Sequence, residues 1–128
     1  MKIIITNNPM VRDKHNDTQK RQKIEFYDTD YLGILKLVRD RIHLGHGLLT
    51  HPLAGSVKPW ETRYKTVIVT GEKSALDGNA LSIIEESIQT CLKLKASSVM
   101  KEWSEKTLAD FQLIDYTLIF GYKGEHNE

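Results

Sequence analysis

The chain is poor in the features that announce a compartment or a cofactor. It has one cysteine among 128 residues, Cys91, so no disulfide can close within it. Long apolar runs are missing. The opening run, Ile3 to Ile5, is too short for a secretory leader, and no stretch approaches a membrane span. Charge of one sign is missing too. Eighteen basic residues face seventeen acidic ones, a formal net charge of +1. That balance lacks the basic excess of a nucleic-acid surface. The cluster Lys20, Arg21 and Lys23 reads as a solvated turn. These absences set the expectation of a cytoplasmic protein that engages neither membrane nor nucleic acid.

What is present describes a globular domain. Hydrophobic residues make up 40% and charged residues 27%, enough for one core without staples. The expectation is a single α/β domain over residues 1–122 with a flexible tail at 123–128. "KIIIT" (2–6), "KIEFYD" (23–28), "TVIVTG" (66–71) and "LIDYTLIF" (113–120) read as strands from their β-branched and aromatic content. Asn8 and Pro9 suit the cap and first position of a short helix through about His15. Tyr31, Ile34, Leu35, Val38 and Ile42 recur at helical spacing behind a capping Asp30, and Gly45 ends that helix. A second long helix is expected over 79–100, with Cys91 as a core residue on its apolar stripe. Alternating strands and helices imply a layered sandwich with a mostly parallel, Rossmann-like sheet of about four strands, the first strand central. Ligands of such sheets bind beyond the strand carboxyl ends. Here those are Thr6-Asn7-Asn8, Asp28-Thr29-Asp30 and Thr70-Gly71-Glu72-Lys73.

The stretch "HGLLTHPLAGSVKP" (46–59) is too broken for a helix and opens an irregular segment of about twenty residues, well beyond an ordinary connection. Its apolar residues, Leu48, Leu49, Leu53, Val57, Trp60 and Tyr64, suit an ordered loop that covers a core edge. Its polar residues suit a site. Gly55 and Ser56 allow a turn with free N–H groups and Lys58 adds a charge, a combination that can hold a phosphate or carboxylate. The P-loop order is absent. Asn7 and Asn8, before a helix, form a second candidate anion site, but "TNNPMVRD" has no glycine for a dinucleotide's pyrophosphate. His43, His46 and His51 have no zinc-like spacing, so no metal is expected. Ser56 with His51 makes a nucleophile pair only on paper, because no third group orients it.

The opening "MKIIITNNP", the segment "VRDRIHLGHGLLTHPLAGSVKPWET" with "YKTVIV", and "LSIIEESIQT" together resemble the GrdX family. The likeness runs from Met1 to about Lys93. Its motif positions are His46, Leu49, Thr50, His51, Pro52, Leu53, Gly55, Ser56, Val57, Lys58, Pro59, Glu61 and Thr62, with Ala54 and Trp60 as departures. The resemblance implies a small accessory protein of the glycine, sarcosine and betaine reductase systems of anaerobic, amino-acid-fermenting bacteria. It implies no catalytic subunit, and Cys91 matches no redox motif.

Residues and resemblance together give the expected ligand-binding set Asn7, Asn8, His46, His51, Ser56, Lys58 and Thr62. The leading expectation is a non-catalytic accessory or regulatory protein that needs no cofactor. It would bind a small anion or a reductase component through the 46–62 loop. Two alternatives stay open. One is a small enzyme acting on a phosphorylated or acylated metabolite such as acetyl phosphate, with His51 as acid–base and Lys58 as electrophile. The other is a protein–protein module anchored by Trp60 and Tyr64.

Overall fold

The computed structural model describes residues 1–14, 21–54, 58–97 and 102–121. The elements are β1 (Lys2–Thr6), α1 (Pro9–Lys14), β2 (Gln22–Phe26), α2 (Tyr31–His43), β3 (His46–Leu48), β4 (Thr66–Lys73), α3 (Gly78–Ser97) and α4 (Glu105–Phe120). The four strands lie in the order β2-β1-β4-β3. As expected, β1 is internal. Its alternation splits the core: Ile3 and Ile5 face one side with Val67 and Val69, and Ile4 faces the other with Ile68. On the first side pack Ile34, Leu35, Val38 and Ile42 of α2 with Ala80, Ile84, Ile88 and Cys91 of α3. On the second, Val11 of α1 meets Tyr116, Ile119 and Phe120 of α4. Each fully buried aliphatic side chain contributes about 1.5–3 kcal/mol.

The local signals hold where the side chains themselves make the bond. The Asp30 carboxylate accepts from the Gly33 N–H at 2.8 Å and caps α2. The Asn8 side-chain oxygen accepts from the Met10 N–H at 2.9 Å and starts α1. Gly45 follows α2 with φ at +105°, and an added Cβ there would collide with the Ser74 carbonyl.

Two expectations are corrected. The sheet is mixed rather than mostly parallel. Only β1 and β2 run parallel, joined through α1, while β4 is antiparallel to both β1 and β3. The parallel βαβ alternation stops after one unit, and the expected Rossmann-like sheet is not found. The segment 113–120 is no strand but the second half of α4. Its β-branched and aromatic residues carry strand propensity, yet propensity yields to tertiary packing. Ser104 caps the helix by accepting from the Thr107 N–H at 3.2 Å, and Tyr116, Ile119 and Phe120 then share its buried face. The fourth strand is β3 instead, three residues long and bulged against β4. The expected tail at 123–128 lies outside the described residues, as do 98–101, where the second long helix was expected to end.

Candidate functional site

The antiparallel β4 has a consequence for the site. Thr66, at its start, pairs with Thr6, at the end of β1. The carboxyl end of β1 is therefore met by residues 62–66, and Thr70 to Lys73 lie at the opposite edge. A small cleft of about 20 Å³, room for about one water, opens there. It is lined by Tyr31 of α2, Ala54, Thr62, Tyr64 and Lys65 of the segment before β4, and Ile114, Asp115 and Leu118 of α4.

Lys65 is the unusual member, a lysine only 4% exposed. Its Nζ donates to the Ala54 carbonyl at 3.2 Å and lies 5.7 Å from the centre of the Tyr31 ring. Those are its contacts among the described residues, so an ammonium with three protons uses one of them. Burial pulls its pKa below the ordinary lysine value, against the opposing pull of Asp115. A charged lysine is rarely this deep without a partner.

Asp115 is 6% exposed and makes polar contacts by which α4 meets the sheet, beside the apolar packing of Tyr116, Ile119 and Phe120. Oδ1 accepts from the Thr66 N–H at 3.2 Å. Oδ2 accepts from the Thr66 hydroxyl at 2.6 Å and from Asn8 Nδ2 at 3.0 Å. Thr66 in turn shares a 2.7 Å hydroxyl contact with Thr6. Burial raises the pKa of Asp115, and the hydrogen bonds from Thr66 and Asn8 and the charge of Lys65 pull against it.

The expected site residues fall into five groups. Asn7 and Asn8 are buried beside the cleft, with their side chains fully engaged. Asn7 Oδ1 accepts from the Lys65 N–H at 2.8 Å, and its Nδ2 donates to the carbonyls of Thr29 and Arg63. Asn8 Nδ2 also donates to the Gln112 carbonyl. Together they tie β1 to the chain around Lys65 and to α4. Thr62 lines the cleft, and its Oγ1 accepts from the Tyr64 N–H at 3.4 Å. His46 is buried on β3, away from the cleft, where Nδ1 donates to the Thr70 carbonyl at 2.7 Å. His51 and Lys58 are exposed. His51 Nδ1 accepts from the Leu53 N–H at 3.0 Å, which leaves the neutral ring's proton on Nε2. His51 borders a shallower groove of about 170 Å³ between β3 and the start of α3. That groove holds no buried charge, and its Asp77 is occupied in capping α3. Ser56 lies outside the described residues.

The described parts of the loop are held by specific anchors. Thr50 Oγ1 accepts from the Ile68 N–H at 3.0 Å, and Pro52 and Pro59 are buried. Trp60 packs on the main core with φ at +72°, and its Nε1 donates to the Cys91 carbonyl at 2.7 Å. Tyr64 is buried. Cys91 is a core residue, its thiol pushed up to about 11 by burial. Sequence reasoning missed Lys65, Asp115 and Tyr31. Lys65 stood next to a strand like any surface lysine, and Asp115 sat in a segment read as a strand. No helix among the described residues is long and apolar enough to cross a membrane, and no group of three or more potential metal ligands gathers among them.

No curated protein and no solved structure matches the chain. One family model does, that of the GrdX-like protein, and it spans residues 3–122. The match takes in both walls of the cleft, including the C-terminal quarter that the sequence motifs left unassigned, and the chain belongs to the GrdX-like family.

Proposed function

We propose that this protein is a non-catalytic accessory component of a glycine, sarcosine or betaine reductase system and holds a small anion under its 46–62 loop. The observation that carries the anion is Lys65, a buried ammonium at the floor of a cleft with one hydrogen bond among the described residues. Thr62 and the neighbouring tyrosines supply hydroxyls. Asn7 and Asn8 act as positioning residues that fix Lys65 and Asp115. Lys58 is exposed and is not among the residues that line the cleft. Membership of the GrdX-like family supports the accessory role.

The test is thermal melting against chloride, phosphate, acetyl phosphate, small carboxylates, nucleotides and zinc. A bound anion at about 100 times its dissociation constant adds roughly 2.7 kcal/mol. The expected result is a rise of several degrees with at least one anion that disappears in Lys65→Met. A flat panel counts against the reading. A reductase component as partner is favoured by the exposed aliphatics Leu113 and Leu118 of α4. Co-purification that is lost in Leu113→Ser would support it, and co-purification indifferent to that change would not.

A further inference from the structure

The floor and the mouth of the cleft differ in chemistry. At the floor stand Lys65 and Tyr31. Tyr31 is 3% exposed, and its hydroxyl makes no hydrogen bond to the described residues. No fully buried side-chain oxygen or nitrogen among them lacks a partner, so this hydroxyl reaches the water of the cleft and is open to a ligand. Beside it the Tyr64 hydroxyl accepts from Gln112 Nε2 at 3.2 Å, which leaves its own proton to donate. At the mouth stand Ile114 and Leu118, one helical turn apart and 41% and 49% exposed. Aliphatic side chains half in water beside a buried cation suit a ligand with a charged head and an apolar tail.

Charge narrows the head group. Lys65 is the cation among the described lining residues, and Asp115 lines the same cleft with both oxygens engaged. With Lys65 charged, the pair carries at most one positive charge, which suits a monoanion better than a phosphate dianion. The cleft is on the scale of one water, which a planar carboxylate's oxygens replace more readily than a tetrahedral group.

We propose that the cleft binds the carboxylate of a short aliphatic chain, its oxygens on Lys65 Nζ and the Tyr31 hydroxyl and its tail along Ile114 and Leu118. This rests on the anion-binding reading above and specifies its ligand. The carboxylate can belong to a free short-chain acid or to the C-terminus of a polypeptide.

The test is a titration of the full ¹⁵N-labelled chain, followed by amide shifts, with formate, acetate, butanoate, N-acetylalanine and phosphate. The amides of residues 62–66 and 114–118 should move together. Affinity should rise about two- to fourfold for each methylene from acetate to butanoate. Tyr31→Phe, which removes one oxygen and keeps the ring, should weaken butanoate about tenfold. Lys65→Met should abolish the response, and Ile114→Ser with Leu118→Ser should flatten the chain-length series. Tighter binding of N-acetylalanine than of butanoate assigns the carboxylate to a polypeptide end. The reverse order assigns it to a free acid, and both orders support the proposal. Binding of phosphate through Lys65 without the acids would overturn the carboxylate assignment and leave the anion reading standing. No shift around Lys65 with any anion would overturn both. If Lys65→Met does not fold, a Tyr31→Phe protein with unchanged butanoate affinity overturns the proposal by itself.

Discussion

Asp115→Ala is the substitution for which the structure sets the firmest magnitude. It removes the acceptor of three hydrogen bonds, from the Thr66 N–H, the Thr66 hydroxyl and Asn8 Nδ2. Two of those donors have alternatives. The Thr66 hydroxyl can turn to Thr6, 2.7 Å away, and Asn8 Nδ2 keeps the Gln112 carbonyl. The Thr66 N–H is stranded in the interior, at about 1–3 kcal/mol. Loss of the two remaining bonds to a carboxylate adds to this, for a total of about 2–4 kcal/mol. In a domain of this size that lowers the melting point by on the order of 10 °C. Asp115→Asn keeps an acceptor and should lose about half as much. The pH dependence separates the two roles of the carboxylate. Because burial holds the folded pKa above the unfolded value, the group's stabilising contribution is complete below the unfolded value of 3.8. It is lost as pH rises through the folded value. The difference in stability between wild type and Asp115→Asn, measured by urea unfolding, should therefore shrink as pH rises out of the acid range. An Asp115→Ala protein that melts within about 2 °C of wild type would refute this account of how α4 is held.

Three further outcomes follow from single contacts. Lys65→Met should be at least as stable as wild type at neutral pH without added anion, because an incompletely paired buried charge is removed and its stem is kept. Since the folded pKa of Lys65 is depressed, wild type should gain stability on Lys65→Met as pH rises toward the unfolded value of 10.5, which alkaline urea titrations would show. Gly45→Ala should cost about 2–4 kcal/mol by chemical denaturation, from positive φ and collision with the Ser74 carbonyl; a loss under about 0.5 kcal/mol would contradict the geometry. Trp60→Phe should lose about 1 kcal/mol with the bond to the Cys91 carbonyl, and its thermal melt should stay two-state.

Much of the fold was legible because its signals are local. Asp30, Asn8 and Gly45 act within a few residues of themselves, and each does in space what its type implies. The triple isoleucine of β1 foretold a strand apolar on both faces. What failed depends on distant partners. Nothing in "TVIVTG" states which way β4 runs, and strand direction decides which loop meets the carboxyl end of β1. In "LIDYTLIF" the side chains that favour a strand also pack well on a helix, and the cap that decides is Ser104, nine residues before Leu113. The site divides the same way. The loop could be seen as unusual from its glycines, prolines and histidines. Its depth at Lys65 could not, because burial there is set by α4, whose Asp115 is fifty residues away in sequence.

The most direct measurement is a crystal structure of the full chain grown in sodium bromide, with anomalous data collected at the bromine edge. Bromide is a monoanion that reports its own position. The account predicts an anomalous peak at the floor of the cleft, beside the Lys65 ammonium and the Tyr31 hydroxyl. Bromide found only on exposed lysines such as Lys58, with the floor of the cleft holding water, would contradict it.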